Sequence, residues 1–156
     1  LKKIIGDPEK RKKLMVYINP PYAEAMIATT VMGTGQNKAA VATAHKTSAK
    51  YQASIGNATN EIFALFMARV YVEIPHCNLA MFSKVKFINA QNFINFRAFF
   101  KAEFKGGFIV QAATFDNVDG KFPIVFTIWD LNRNPFTYCV ELDVVEEGKF
   151  TPSSFA

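Results

Sequence analysis

Two consecutive prolines limit this chain more tightly than any other feature. They stand in Asn19-Pro20-Pro21-Tyr22, directly after the apolar run Leu14-Met15-Val16-Tyr17-Ile18. A short apolar run bounded by a turn signal reads as a buried strand. Neither proline carries the N–H that a sheet ladder uses, so the strand has to stop at Asn19. Beyond the strand lies a stiff, extended tip with one amide and one aromatic ring. Open α/β sheets bind ligands at the carboxyl ends of their strands. An amide and a ring fixed at that place suit a flat heterocycle. The competing reading is a strand that ends in a plain Pro-Pro turn.

The rest of the chain supplies alternating elements. Residues 1–13 are polar and basic, with Gly6-Asp7-Pro8 as a turn, and read as a basic linker. Residues 23–59 are rich in Ala, Thr, Ser, Gly and Lys. Within them Gly33-Thr34-Gly35-Gln36-Asn37 is a loop and Ala39 to Ala53 a weak, polar helix. Such a long stretch with little apolar periodicity is usually functional or mobile. Glu61 to Ile74 is the clearest helix, apolar on most sides. Asn60 or Thr59 is its expected cap, Glu61 lies in its first turn, and Arg69 and Glu73 are spaced to pair. Pro75 stops it. Leu79 to Phe82 is a buried strand running into Ser83-Lys84. Asn92 to Phe104 returns to helical spacing, with Phe93, Phe96, Phe100 and Phe104 on one side, and Gly106-Gly107 ends it. Phe108 to Phe115 and Pro123 to Trp129 make a hairpin around the turn Asp116-Asn117-Val118-Asp119-Gly120. Phe136 to Val144 is a last strand at an edge, and residues 146–156 are a tail. The order predicts an α/β fold, a parallel sheet ending in an antiparallel hairpin.

At 156 residues the chain is long enough for one domain with its own core, and sixteen Phe imply a core built largely of rings. The net charge is +5. Lys2, Lys3, Lys10, Arg11, Lys12 and Lys13 lead the chain, whereas acid collects in Glu141, Asp143, Glu146 and Glu147. A basic body fits a polyanion partner; solvated faces are the competing account. No run approaches the roughly 18–20 apolar residues of a membrane span, and no signal peptide is visible. The chain is therefore expected in the cytoplasm, away from membranes. Cys77 and Cys139 suit buried thiols in a reducing compartment. With His45 and His76 they lack metal-ligand spacing, so no metal is expected.

In this order, the residues resemble the amino-methyltransferases that act on nucleic acid, especially the N6-adenine DNA methyltransferases of restriction–modification systems. Asn19-Pro20-Pro21-Tyr22 resembles their catalytic tetrapeptide at the end of the fourth strand. Asn60-Glu61-Ile62-Phe63-Ala64-Leu65-Phe66 resembles the helix after the active-site loop, and Leu79-Ala80-Met81-Phe82 the fifth strand. Asn92 to Phe104, with Arg97, resembles the next helix. Phe108 to Trp129 is similar to the reversed sixth and seventh strands that close the sheet. The resemblance covers residues 14–131; only the tetrapeptide is specific by itself.

It implies a partial Rossmann-like fold that uses S-adenosylmethionine, with the catalytic part over residues 14–145. Residues 23–59 become an active-site and DNA-facing loop region. Asn19, Pro20, Pro21 and Tyr22 are the implied catalytic residues, with Asn19 and Pro20 also forming part of the cofactor's wall. Tyr22 offers a face to a flipped adenine. Phe115, at the position of the family's eighth motif, is the best match for a second ring and Phe122 the next; core packing competes for both. Lys38, Lys46 and Lys50 are candidates for contacts to the phosphates of double-stranded DNA. The family's Gly-rich cofactor loop and its acidic residue after the second strand are absent, and Gly33-Thr34-Gly35 follows no strand. The expectation is a catalytic fragment whose partner is the missing cofactor-binding part, inactive and open to self-association when isolated. Methylation of a protein glutamine or an RNA base amine is the alternative, and a non-catalytic DNA-docking fragment a second one.

Overall fold

The computed structural model describes residues 2–20, 46–115, 122–132, 139–146 and 149–155. Six strands occur among them: β1 (Met15–Ile18), β2 (Asn78–Lys84), β3 (Glu103–Gln111), β4 (Pro123–Asp130), β5 (Val140–Glu146) and β6 (Lys149–Phe155). They form one sheet in the order β1-β2-β4-β3-β5-β6. β1 and β2 are parallel, and β4 runs antiparallel to both β2 and β3. β3 and β5 are parallel, and β6 returns antiparallel along β5. Thus β1, β2, β3 and β5 share one direction, while β4 and β6 oppose it. The fold is α/β with a mixed sheet, Rossmann-like in architecture, and it contains the expected β3–β4 hairpin. Of that pair only β4 is reversed relative to β1.

The described helices are α1 (Lys2–Ile5), α2 (Pro8–Lys12), α3 (Lys46–Ile55), α4 (Ile62–Glu73), α5 (Lys86–Asn89) and α6 (Ile94–Phe99). Strand alternation decides which side of the sheet they cover. Val16 and Ile18 of β1, Leu79 and Met81 of β2, and Val125 and Trp129 of β4 pack with α3, α4, α5 and α6 in one core. Phe63 of α4 stacks on Phe93, with centroids 5.5 Å apart, and Phe96 on Phe100 at 5.4 Å. Phe100 and Phe104 meet Trp129 edge-on at 5.3 and 5.1 Å. Each such ring contributes about 1.5–3 kcal/mol by leaving water. The one indole N–H is not orphaned: Trp129 Nε1 donates to Thr127 Oγ1 at 2.9 Å. Phe66, Arg69, Val72 and Glu73 form the exposed stripe of α4, and its other positions are buried or half-buried, so the helix is covered on most sides as expected.

Several elements differ from their sequence-based expectation. The basic linker is two short helices; Asp7 caps α2 by accepting from the N–H groups of Glu9 and Lys10, and Pro8 stands at its start. Of the helix expected over 39–53, residues 39–45 lie outside the described part, and α3 starts at Lys46. The cap of α4 is Glu61, not Asn60 or Thr59, and it makes no side-chain cap bond. The helix expected over 92–104 is a 3₁₀ turn at Gln91–Phe93 followed by α6, and the chain is already extended at Glu103.

Gly106-Gly107 therefore ends no helix but lies within β3. The register shifts between Phe104 and Gly106, whose φ is +142°, and a Cβ on Gly107 would collide with the Phe126 carbonyl oxygen. A bulge and a close backbone approach explain the two glycines. The last expected strand starts later, at Val140, and is not the edge. Residues 146–156, expected as a tail, contain β6. The turn Asp116 to Gly120 lies outside the described residues. Cys77 is buried, and burial pushes its thiol up to about 11; Cys139, expected buried, is exposed.

Candidate functional site at the carboxyl ends of β1 and β2

Parallel pairing puts the carboxyl ends of β1 and β2 side by side. Ile18 pairs with Met81, so Asn19 and Pro20 continue alongside the last residues of β2, Phe82 to Lys84. Asn19 is exposed and Pro20 buried, which pins the backbone and leaves the amide at the surface. Pro21 and Tyr22 lie outside the described residues, as does Lys38.

Tyr17 precedes Asn19 by two residues and faces away from Val16 and Ile18, onto the side of the sheet opposite α3–α6. It is 62% exposed. Its ring lies 6.4 Å from Phe82, edge-on, and 6.3 Å from Phe126. Phe82 in turn meets Phe126 at 4.9 Å, Phe115 at 5.4 Å and Phe108 at 6.1 Å. Phe115 and Phe122 both pack against a second, smaller core of Val110, Ala112 and Ile124. Of the two hairpin rings singled out from sequence, Phe115 is thus joined through Phe82 to the strand that leads into Asn19, whereas Phe122 packs against the smaller core. Sequence reasoning missed Tyr17 and Phe82. The alternation of β1 holds the signal for Tyr17, since a ring out of phase with Val16 and Ile18 cannot share their core.

Charge also collects here. Glu61, at the start of α4, is 2% exposed. Its Oε1 accepts from Lys86 Nζ at 2.6 Å and its Oε2 from Lys84 Nζ at 3.3 Å. The two ammonium groups give this buried carboxylate hydrogen-bond partners in place of water. Lys84 Nζ also lies 5.8 Å from the centre of the Phe122 ring. Arg97 donates to the carbonyl oxygens of Phe87 and Ala90, tying α6 to α5.

The phosphate candidates separate. Lys46 opens α3 and is exposed. Lys50 donates to Glu73 Oε1 at 2.9 Å, and Arg69 Nε donates to Glu73 Oε2 at 2.9 Å, the pairing expected within α4. These bonds, Arg69 first, lower the Glu73 carboxyl to about 2, and the bond to Glu73 raises Lys50. Glu73 ends α4, whereas Glu61 at its other end is bound to the carboxyl end of β2. Lys50 therefore sits towards the opposite end of the sheet from Asn19, and the two are not brought together. An apolar crevice of about 300 Å³ opens further along the same edge, between the carboxyl ends of β3 and β5, with Val110, Phe122 and Val145 in its wall and Gln111 and Glu146 at its polar side. Among the described residues no group of three His, Cys, Asp or Glu is gathered as for a metal, and no helix is long and apolar enough to cross a membrane.

No known protein family and no curated protein matches this chain in sequence. A solved structure does match in fold: a chain of the cryo-EM structure of a DrdV–DNA complex, with a TM-score of 0.56 over 90% of this chain at 14% identity. This chain spans 16% of the length of that one.

Proposed function

We propose that this chain carries the amine-gripping part of a methyltransferase that acts on the N6 amine of an adenine flipped out of double-stranded DNA, with S-adenosylmethionine as methyl donor. One observation carries the reading. Asn19 and Pro20, the first half of the Asn-Pro-Pro-Tyr run, follow the carboxyl end of a parallel strand whose Tyr17 belongs to a half-exposed cluster of rings. A neighbour in fold that was solved as a DNA complex adds support for DNA as the partner.

The chemistry asks for those residue types. The adenine amine is a weak nucleophile, because its lone pair is delocalised into the ring. The Asn19 side-chain oxygen and the Pro20 carbonyl each accept one amino hydrogen. Two fixed acceptors draw the nitrogen towards tetrahedral geometry and aim its lone pair at the donor methyl. Pro20 and Pro21 hold the backbone, so little has to reorganise in the transition state. Rings beside the tip receive the base, at about 1–3 kcal/mol per stacked base.

The described residues do not fit the whole cofactor. Gly6 joins α1 to α2, Gly56 follows α3, and Gly106 and Gly107 lie inside β3, so no described glycine opens a helix after a parallel strand. Such a turn would be needed to cradle the cofactor's carboxylate and adenosine. The chain contributes the wall that faces the reacting amine. The test is product analysis. Incubated with duplex DNA and labelled S-adenosylmethionine, the intact protein should yield N6-methyladenine on nucleoside mass spectrometry. Label in RNA or in glutamine of a protein substrate, with none in DNA, would contradict the adenine reading.

A further inference from the structure

Among the described residues Glu61 is the most deeply buried carboxylate at this end of the sheet, and the chemistry at the adenine amine does not use it. Its two lysines differ in what they reach. Lys86 is the first residue of α5, and its side chain is 41% exposed. Lys84 ends β2 and is 12% exposed; its ammonium is held by Glu61 on one side and lies over the Phe122 ring on the other. Glu61, Lys84 and Phe122 thus form a row across the top of the sheet, from the start of α4 to the start of β4. Asn19 and Pro20 run beside the end of β2 where Lys84 stands. A lysine stem is flexible and samples many rotamers when its ammonium is free. A buried carboxylate that binds the ammonium removes that freedom and fixes the cation where the ring's negative face meets it.

We propose that Glu61 is a positioning residue for capture of the flipped base. Acting through Lys84, it sets where the Phe122 ring stands relative to Asn19. The role rests on the adenine reading. Lys86 shares the carboxylate but serves as a counter-charge and leaves the ring unaffected.

The test uses the intact protein on a duplex containing its own methylation site, mapped beforehand on genomic DNA, with 2-aminopurine at the target adenine. Extrusion of that base raises its fluorescence. Glu61→Gln and Lys84→Met should lower the extruded fraction about five- to ten-fold, with duplex affinity nearly unchanged. Phe122→Leu, which leaves all three charges in place, should match them; this guards against a Glu61 variant that merely folds poorly. Lys86→Met should retain the wild-type signal. Wild-type fluorescence in Glu61→Gln or Phe122→Leu overturns the role, as does a loss in Lys86→Met equal to that in Lys84→Met. A wild-type protein that binds the duplex with no rise in fluorescence instead removes the adenine reading, and this role with it.

Discussion

The two faces of the sheet are built from the same residue types to different ends. The face under α3–α6 buries Phe63, Phe93, Phe96, Met81 and Leu79 almost completely, with stacked rings and a satisfied indole. The other face carries Tyr17, Phe82, Phe108, Phe115 and Phe126, in mutual contact yet only partly covered, and Met15 and Tyr17 are half exposed or more. Rings packed on all sides stabilise a fold. Rings in a cluster with one side open keep free energy in reserve for a ligand or a neighbouring surface. Asn19 and Pro20 follow β1 directly, where Tyr17 faces the second side and Val16 and Ile18 pack on the first.

If that division holds, substitutions on the two faces should separate stability from function. Phe63→Ala should be the most damaging to folding, with a loss of about 3–5 kcal/mol read from the midpoint of urea unfolding. A loss below about 1 kcal/mol would mean that the helical face is not the core. Gly107→Ala sharpens the picture within the sheet. The added methyl has to push aside the Phe126 carbonyl, a backbone group, so β3 and β4 should part locally at a cost of about 1–3 kcal/mol. Faster amide exchange confined to β3 and β4 should accompany it. Tyr17→Ala should cost folding about 1 kcal/mol or less, because the ring is mostly in water. The same change should lower methyl transfer by the intact protein. Equal losses in Tyr17→Ala and Phe63→Ala stability would erase the distinction between the faces.

The smallest effect concerns the far end of α4. Arg69 and Lys50 lower the Glu73 carboxyl from 4.5 to about 2. A folded value below the unfolded one means that the pair contributes stability above about pH 4.5 and that this contribution is lost as pH falls towards about 2. These side chains are a third to a half exposed, so solvent screening keeps the contribution small. Glu73→Gln should flatten the acid limb of the stability profile slightly and leave methyl transfer unchanged. A drop in activity would bring the Lys50 end of the molecule back into the site.

Much of the fold was legible because its signals are local. The Pro-Pro stop after Ile18, the apolar pattern of α4, and the runs that became β2 and β4 each carry their own boundary. Gly106-Gly107 misled because a glycine pair after helical spacing resembles a helix end. Only the approach of Phe126 across the sheet shows what the pair is for. β6 was hidden by Pro152, which argues against a central strand but is tolerated at an edge, where this strand lies. In the site, Asn19, Phe115 and Phe122 could be picked out by residue type and order. The burial of Glu61 could not, since an acid at the start of a helix ordinarily faces solvent. Nor could the pairing of Lys50 with Glu73, which joins residues 23 positions apart.

The central claim is that Asn19 performs the chemistry on a tip whose surroundings supply binding and stability. The most direct measurement compares wild type and Asn19→Ala in the intact protein for N6-methyladenine formation and for duplex affinity at the same salt concentration. Loss of detectable methyl transfer with DNA affinity nearly unchanged is the predicted result. Near-normal turnover by Asn19→Ala would contradict the assignment.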